Sequence, residues 1–494
     1  MANIIVGCAK YMMIFLIAIY AYQCFIVFSY ENEQSKRRIY RSQNTITFLI
    51  HFMAFAGMYF KTSENKILFF YFAQAVMLAA IVLLYTKCYP KMSRLVLNNM
   101  CMLLVIGLIM ITRLSYNKAV KQCIIIGASI VISLLVPIFI RKIKGLSNWK
   151  VLYGMIGILA LGAVVIIGQV SGGAKLGFTI GGIGIQPSEF VKIIFVFFVA
   201  SSFYHSVKFS NVIMTTIVAA FHVLILVISK DLGAALIIFV VYLIMLYVAT
   251  KQPFYALAGI GAGSVAAVVA YRLFSHVKVR VQVWKDPFAI YENGGYQVAQ
   301  SLFAIGTGSW FGTGLFQGRA DAIPVADEDF IFSAIAEEMG LIFALCMILI
   351  CVSCYVMFLN IAMQLENRFY KYVALGLGTC YIFQTFLTIG GVTKFIPSTG
   401  VTLPLVSYGG SSVLSTLLMF AIIQGLYILK EDEEEEFEKK RQQKQARETA
   451  EKRNRHYRSE AGSEETIPRQ RVSSTKATNQ RKPRGEASRQ SRVR

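Results

Sequence analysis

The sequence predicts an all-α polytopic membrane protein of about thirteen spanning helices, and three observations predict it. First, 56% of the 494 residues are apolar and only 15% are charged, whereas a soluble domain carries about 25% charge. Second, the apolar residues come in long unbroken blocks such as Cys123–Ile140 and Ala234–Tyr247. Crossing the hydrocarbon core takes about 20 helical residues, and a closed barrel would instead show alternating segments of about ten. Third, Lys and Arg collect in short loops that all fall on one side of the alternating spans, as cytoplasmic loops do.

Taken in order, spans are expected at 11–30, 45–60, 66–86, 98–113, 120–140, 150–168, 189–205, 211–229, 231–249, 254–274, 332–359, 370–390 and 405–428. The first is long enough to cross and no small-residue cleavage site follows it, so it reads as a span and not as a signal peptide. The basic loops are Lys36–Arg41, Lys87–Arg94, Arg141–Lys150, Lys208, Lys251 and Arg368–Lys371. With thirteen spans they share a side with the C-terminal tail, which places the N-terminus outside and the C-terminus in the cytoplasm. Glu64 falls in the tight turn between the second and third spans.

The outer loops differ in kind. Residues 170–188 are Gly-rich, 275–332 form the longest non-helical stretch between spans, and 390–412 hold Gly, Pro, Ser and Thr with one charge, Lys394. Loops this long are usually functional. Beyond Lys430 the chain is acidic over Glu431–Glu438, then rich in Arg, Lys, Gln and Ser, and it reads as a disordered tail with at most a short helix at its start.

The formal net charge of +22 does not make this a nucleic-acid binder. Of the 49 Lys/Arg, 19 lie in 430–494 together with 13 of the 27 Asp/Glu, so the tail carries +6 and the membrane part +16. Most of that excess is the loop asymmetry already described. Nine cysteines, including Cys101, Cys123, Cys346, Cys351 and Cys354, sit mainly inside apolar blocks at no zinc-ligand spacing, and a disulfide framework is not expected.

Acidic residues form a short list. Residues 1–429 hold fourteen, none between Lys66 and Ser188. With Glu31, Glu33 and Glu366 cytoplasmic and Glu64 in its turn, there remain Glu189, Asp231, and eight in one segment: Asp286, Glu292, Asp321, Asp327, Glu328, Asp329, Glu337 and Glu338. Acid–base chemistry at the outer face needs a positioned proton acceptor, and His276 is the other ready candidate there. Asp329 and Asp231 each precede an apolar helix and can also be read as simple N-caps, and Glu189 with Lys192 as an intrahelical pair. Asp329 stands apart because it ends the run Asp327-Glu328-Asp329, whose members raise one another's pKa, at the mouth of a span that carries Glu337 and Glu338 two turns deeper. Carboxylates at such depth are costly and usually functional.

Cations form a second constellation: Lys175, Lys192, Lys230, Lys278, Arg280, Lys285, Arg319 and Lys394 fall at or near the outer surface, where basic residues are normally avoided. As a set they suit an anionic ligand such as a phosphate. Helix N-termini after Ser188, Lys230 and Asp329 would add positive dipole ends.

At these residues the chain resembles a known family. Gly173-Ala174-Lys175 with Gln186-Pro187-Ser188-Glu189-Phe190-Val191-Lys192 is similar to the first outer-loop signature of the SEDS proteins, RodA, FtsW and SpoVE. Lys230-Asp231-Leu232-Gly233-Ala234-Ala235 resembles the next. Asp286-Pro287 with Gly295-Tyr296-Gln297 and Gln300-Ser301 follows, and Gly306–Gly318 leads into Asp329-Phe330-Ile331-Phe332 and Glu337-Glu338-Met339-Gly340. The stretch from Pro397-Ser398-Thr399-Gly400 to Ser407-Tyr408-Gly409-Gly410-Ser411-Ser412 resembles the family's longest signature. The likeness covers about 98–428. Departures are Lys175-Leu176 where the family has Arg-Trp, Asp327-Glu328 where it has His-Thr, Lys230 in place of Pro, and the added Lys394.

The resemblance implies a ten-helix catalytic core over 98–429, preceded by three extra spans in 1–97 and followed by the tail 430–494. It implies a peptidoglycan glycosyltransferase that polymerises lipid II at the outer face of the bacterial plasma membrane, in elongation, division or sporulation, beside a class B penicillin-binding protein. Asp329 would be the catalytic base. Lys175, Gln186, Ser188, Glu189, Lys192, Lys230, Asp231, Arg280, Gln297, Gln300, Glu337, Glu338, Lys394, Ser407, Tyr408 and Ser411 would contact substrate. The leaving diphosphate would be met by these bases or by a divalent cation, Mg or Mn. A lipid II flippase or a non-catalytic scaffold would be the alternatives. A flippase would want polar groups through the membrane depth, and residues 98–168 are nearly charge-free there.

Overall fold

A computed structural model describes residues 2–143, 145–171, 174–180 and 183–463. The three leading helices are α1 (Ala2–Ile26), α2 (Glu33–Thr62) and α3 (Asn65–Cys88). They are followed by α4 (Arg94–Leu114), α5 (Tyr116–Ser133), α6 (Val136–Lys142) and α7 (Lys150–Ile167). A three-stranded antiparallel sheet in the order β1 (Gln169–Ser171), β2 (Ala174–Ile180), β3 (Ile183–Ile185) comes next. Then run α8 (Pro187–His205), α9 (Phe209–Ile228), α10 (Leu232–Thr250) and α11 (Pro253–Leu273). Two short helices, α12 (Ser275–Lys285) and α13 (Tyr296–Gly308), precede α14 (Ile331–Met339), α15 (Leu341–Gln364), α16 (Arg368–Val392) and α17 (Gly410–Ser463).

Twelve of these segments are long and apolar enough to cross a membrane. The remaining expected span, 45–60, is part of α2, whose 30 residues carry a polar run that includes the buried Gln43, Thr47 and His51. Gln43 and His51 reach neighbouring helices, and Thr47 donates to the Gln43 carbonyl of its own helix at 2.9 Å. His51 meets Gln74 of α3 at 3.0 Å, and Gln43 accepts from Asn98 of α4 at 3.0 Å.

α4 is the axis of the bundle. Its whole hydrophobic stretch is buried within the protein, and its Asn99 joins three helices: it accepts from Tyr20 of α1 at 3.1 Å and donates to Ser353 of α15 at 3.2 Å. The three leading helices are thereby packed into the same compact unit as the rest of the chain to Glu433. α11 is the opposite case, with none of its residues buried.

Several boundaries differ from expectation for local reasons. The expected span 120–140 is α5 and α6, bent at Leu134–Leu135 just ahead of Pro137, where proline removes a helical hydrogen bond. The expected span 332–359 is broken at Gly340, whose φ of +91° admits no side chain comfortably. Glu337 and Glu338 therefore end the short α14 and do not lie two turns inside a continuous span. The stretch 275–332 is not wholly non-helical, since it holds α12, α13 and two short 3-10 turns between irregular loops, and the Gly-rich 170–188 segment forms most of the three-stranded sheet. The charged tail stays helical as far as Ser463, beyond a short opening helix. Glu, Lys, Gln and Arg are strong helix formers, and i,i+4 pairs such as Lys440–Glu436 at 2.7 Å lie along it. Residues 464–494 fall outside the described residues.

The two ends of the bundle are held separately. At one end Asp432 binds Lys91 and Arg141, both at 2.7 Å, and Ser93 exchanges two bonds with Gln424. This is the end of the basic loops. All the outer loops meet at the other. The nine cysteines are free thiols, of which Cys8 and Cys88 are exposed.

Replacing Asn99 by Leu strands the Tyr20 hydroxyl and Ser353 in the bundle interior. We expect a loss of about 1–3 kcal/mol in stability, read as an earlier midpoint in detergent denaturation of the full chain. An unchanged midpoint would mean that these bonds do not hold the leading helices.

Candidate active site

Three outer segments converge on Asp329. The first is the N-terminus of α10. Asp231 caps it by accepting from the Ala234 amide at 3.1 Å, and its other oxygen accepts from Ser188 at 2.8 Å and from Gln186 at 3.3 Å. The second is α12, whose Arg280 donates to the Ser398 carbonyl at 3.1 Å. The third is the 397–412 segment itself. Gly400 adopts φ +70°, and a Cβ placed there would lie 3.7 Å from Asp329 Oδ2 and 3.8 Å from an Arg280 guanidinium nitrogen. Carboxylate and guanidinium thus flank one glycine.

Electrostatics follow from that placement. Burial, partly offset by its own backbone amide, pushes the Asp329 carboxyl up to about 6, with Glu328 and Asp327 adding to the rise and Arg280 opposing it. A carboxylate with that value is poised as a general base near neutral pH. Burial likewise lowers the Arg280 guanidinium against the pull of Asp329 and Asp231. His276 is lowered by burial and by the nearby Arg280 and Lys230, so its imidazole is largely neutral. His276 Nε2 and Thr399 Oγ1 are buried polar atoms without a hydrogen-bond partner in the protein, and both belong to the segments around Asp329. Such orphans are expected where a ligand completes the bonding.

The Asp327-Glu328 pair beside Asp329 is compensated. Lys118 of α5 reaches Asp327 at 2.6 Å and Glu328 at 3.4 Å, and lies over the Tyr408 ring. Ser407 donates to the Glu328 carbonyl and accepts from the Leu403 amide at 2.8 Å, while the Tyr408 amide donates to the Asp327 carbonyl at 2.8 Å. Arg113 and Lys118 were not among the expected outer cations. The signal was available, since both flank the outer turn between α4 and α5, where no acidic residue is near in sequence.

Other expected contacts are placed elsewhere. Glu189 and Lys192 pair at 2.9 Å inside the bundle, with Gln384 at 2.7 Å from Lys192 and Ser415 at 3.0 Å from Glu189. The Lys192 side chain is 1% exposed, so this pair supports the site from below, Gln384 donating to the Thr402 carbonyl at 3.1 Å. Glu338 binds Arg113 at 2.8 Å and Glu337 accepts the Arg319 amide at 2.8 Å. Both brace the 309–319 loop. Ser411 accepts the Gln186 amide at 2.9 Å and donates to Gly184. Gln300 donates to Tyr291 at 2.8 Å, and neither it nor the half-buried Gln297 bonds to the Asp329 group. Lys230 is exposed with φ +63°, and Lys394 is half-buried with φ +59°. Lys175 lies in β2 opposite Val170, with its side chain outside the described atoms, as is Gly173.

No group of three or more His, Cys, Asp or Glu among the described residues could hold a metal ion. Asp231 is already committed to Ser188, Gln186 and a helix N-terminus, and Asp329 to the side of Arg280.

The family profile described as Cell cycle protein, FtsW/RodA/SpoVE, matches residues 92–431. The chain belongs to the FtsW/RodA/SpoVE family. Among its curated relatives, a protein named peptidoglycan glycosyltransferase RodA from Mycobacterium leprae is 33% identical over 360 residues, 68% of this chain and 77% of that protein. A probable peptidoglycan glycosyltransferase FtsW from Bacillus subtilis is 30% identical over 305 residues, 57% of this chain and 75% of that one. Among solved structures, a chain of a peptidoglycan synthase complex that coordinates polymerization and crosslinking matches with TM-score 0.59 and 19% identity, over 69% of this chain and 98% of that one. The rod shape determining protein RodA of Thermus thermophilus matches with TM-score 0.51 and 19% identity, over 68% and 96%. The family's match begins between α3 and α4, so α1–α3 precede it.

The raised carboxyl carries a stability consequence of definite sign. Its native value lies above the unfolded value of about 3.9, so its contribution is full below that value and is lost as pH rises through about 6. We therefore expect Asp329→Asn to be more stable than the unmodified protein at pH 8, by about 1–3 kcal/mol, with the gap closing near pH 4. Equal melting temperatures at both pH values would show that the carboxyl is not destabilised by its setting.

Proposed function

We propose that this protein is a peptidoglycan glycosyltransferase that polymerises lipid II at the extracytoplasmic face of the membrane. The observation that carries the proposal is Asp329: a largely buried carboxyl with a raised pKa, set beside Arg280 at one end of a membrane bundle. Membership in the FtsW/RodA/SpoVE family and the names of the curated relatives support the same chemistry.

In this reading Asp329 takes the proton from the 4-hydroxyl of the acceptor's GlcNAc. The freed oxygen attacks C1 of the donor's MurNAc, a C1–O4 bond forms, and the bond from C1 to the lipid diphosphate breaks. Undecaprenyl diphosphate leaves with the electron pair. Arg280, assisted by Lys230 and the N-terminus of α10, meets the charge that develops on it. Thr399 and the neutral His276 offer the unpartnered polar atoms that would orient the sugars. A divalent cation bound at the diphosphate would share that charge stabilisation. The product is lengthened glycan, and a class B penicillin-binding protein is the partner that would crosslink it. The synthase-complex chain of similar fold is consistent with such an assembly.

Transport is the weaker reading. The buried Glu189–Lys192 pair in the first turns of α8 is enclosed by Gln384 and Ser415, whereas a carrier would want polar groups lining a path through the membrane depth.

Purified full-length protein, assayed alone and with a class B penicillin-binding protein, should convert lipid II to polymer. Asp329→Asn should lower the rate by about 10²–10⁴-fold while the protein remains folded. A variant that polymerises at the original rate would remove Asp329 from the base role.

A further inference from the structure

The three leading helices have no place in the chemistry just described, yet α1 touches the loop on which that chemistry depends. Lys10 Nζ donates to the Gly312 carbonyl at 2.9 Å. Tyr11 packs against the Phe311 ring with centroids 5.8 Å apart, and Val6 lies 3.2 Å from where Gly314 would carry a Cβ. These three α1 residues lie along a short stretch of the helix and meet Phe311, Gly312 and Gly314 of one turn.

The same turn grips the end of α14. The Thr313 and Gly314 amides donate to the Glu337 and Glu338 carbonyls, both at 2.8 Å, and the Gly312 amide donates to Gly308. Gly312 and Gly340 approach backbone to backbone, a Cβ on Gly340 falling 2.4 Å from the Gly312 nitrogen. The Glu338 side chain closes the loop by accepting from Phe316 at 3.3 Å and pairing with Arg113. These bonds cap carbonyls that a broken helix would otherwise leave unsatisfied. α14 is nine residues long, about 14 Å, and Asp329 stands just before its other end. A tilt at the Glu338 end is therefore transmitted to the carboxylate.

We propose that α1 is a positioning element for the catalytic loop: Lys10 and Tyr11 hold the 311–314 turn, the turn holds the C-terminal end of α14, and α14 sets where Asp329 stands. Nothing in α1 touches substrate. The geometry gives the helices that precede the family's match a task, which is to brace an outer loop from outside the catalytic core. As a statement about turnover this rests on the glycosyltransferase reading; as a statement about the loop it does not.

The test uses the full-length protein with Lys10→Met and Lys10→Arg, read by amide hydrogen exchange and by lipid II polymerisation. Lys10→Met should speed exchange in 309–319 and 331–339 while leaving α16 unchanged. It should also lower kcat by about 10-fold with KM within about twofold, because a small misplacement of the base costs rate and not binding. Lys10→Arg, which keeps the donor, should restore both. Unchanged exchange in those segments, unchanged kcat, or an Arg variant no better than Met would overturn the brace. If the unmodified protein fails to polymerise while Lys10→Met still loosens 309–339, the function is wrong and the brace stands.

Discussion

Asp329 has no fixed place without the 397–412 segment. The turn that carries it is tied to that segment by backbone bonds: the Tyr408 amide to the Asp327 carbonyl and the Ser407 hydroxyl to the Glu328 carbonyl. Arg280 is tied to the same segment through Ser398. A carboxylate and a guanidinium from elements nearly fifty residues apart are thus registered against one strip of chain. Hydrogen bonds to main-chain groups are well suited to this, because they fix the backbone and leave the reacting side chains free.

Charge at the site is a balance among unlike neighbours. Burial raises the Asp329 carboxyl most, Glu328 and Asp327 add to the rise, and Lys118 pairs with both of those neighbours. Arg280 faces Asp329 from the other side, and the sealed Glu189–Lys192 pair supports Thr402 from beneath through Gln384. Buried charges are tolerated when paired and hydrogen-bonded, as Glu338 is by Arg113 and Lys192 by Glu189 and Gln384. The residual strain falls on Asp329, where a proton acceptor needs it.

Much of this was legible from residue order. Block length gave the spans, the Lys/Arg loops gave their alternation, and elimination among fourteen carboxylates led to the 286–338 segment. What could not be read is what depends on partners distant in sequence. Glu337 and Glu338 look like intramembrane acids until Gly340 is seen to break the helix and the Thr313 and Gly314 amides are seen to take its carbonyls. Lys192 looks like an outer cation until Gln384 encloses it. Arg113 and Lys118 look like ordinary helix-end charges until Glu338 and Asp327 arrive from more than two hundred residues away. The tail's helix rests on local i,i+4 pairing, and low hydrophobicity alone does not reveal it.

The account stands or falls on which side of the membrane the Asp329 loop faces. With the exposed Cys8 and Cys88 replaced by Ser, the seven remaining native thiols are buried or half-buried, and Asp321→Cys adds one at a side chain that is 75% exposed on that loop. A membrane-impermeant maleimide added to intact cells should label it fully without permeabilisation. Labelling that appears only after the membrane is opened would place the carboxylate in the cytoplasm, away from any growing wall glycan, and would contradict the mechanism.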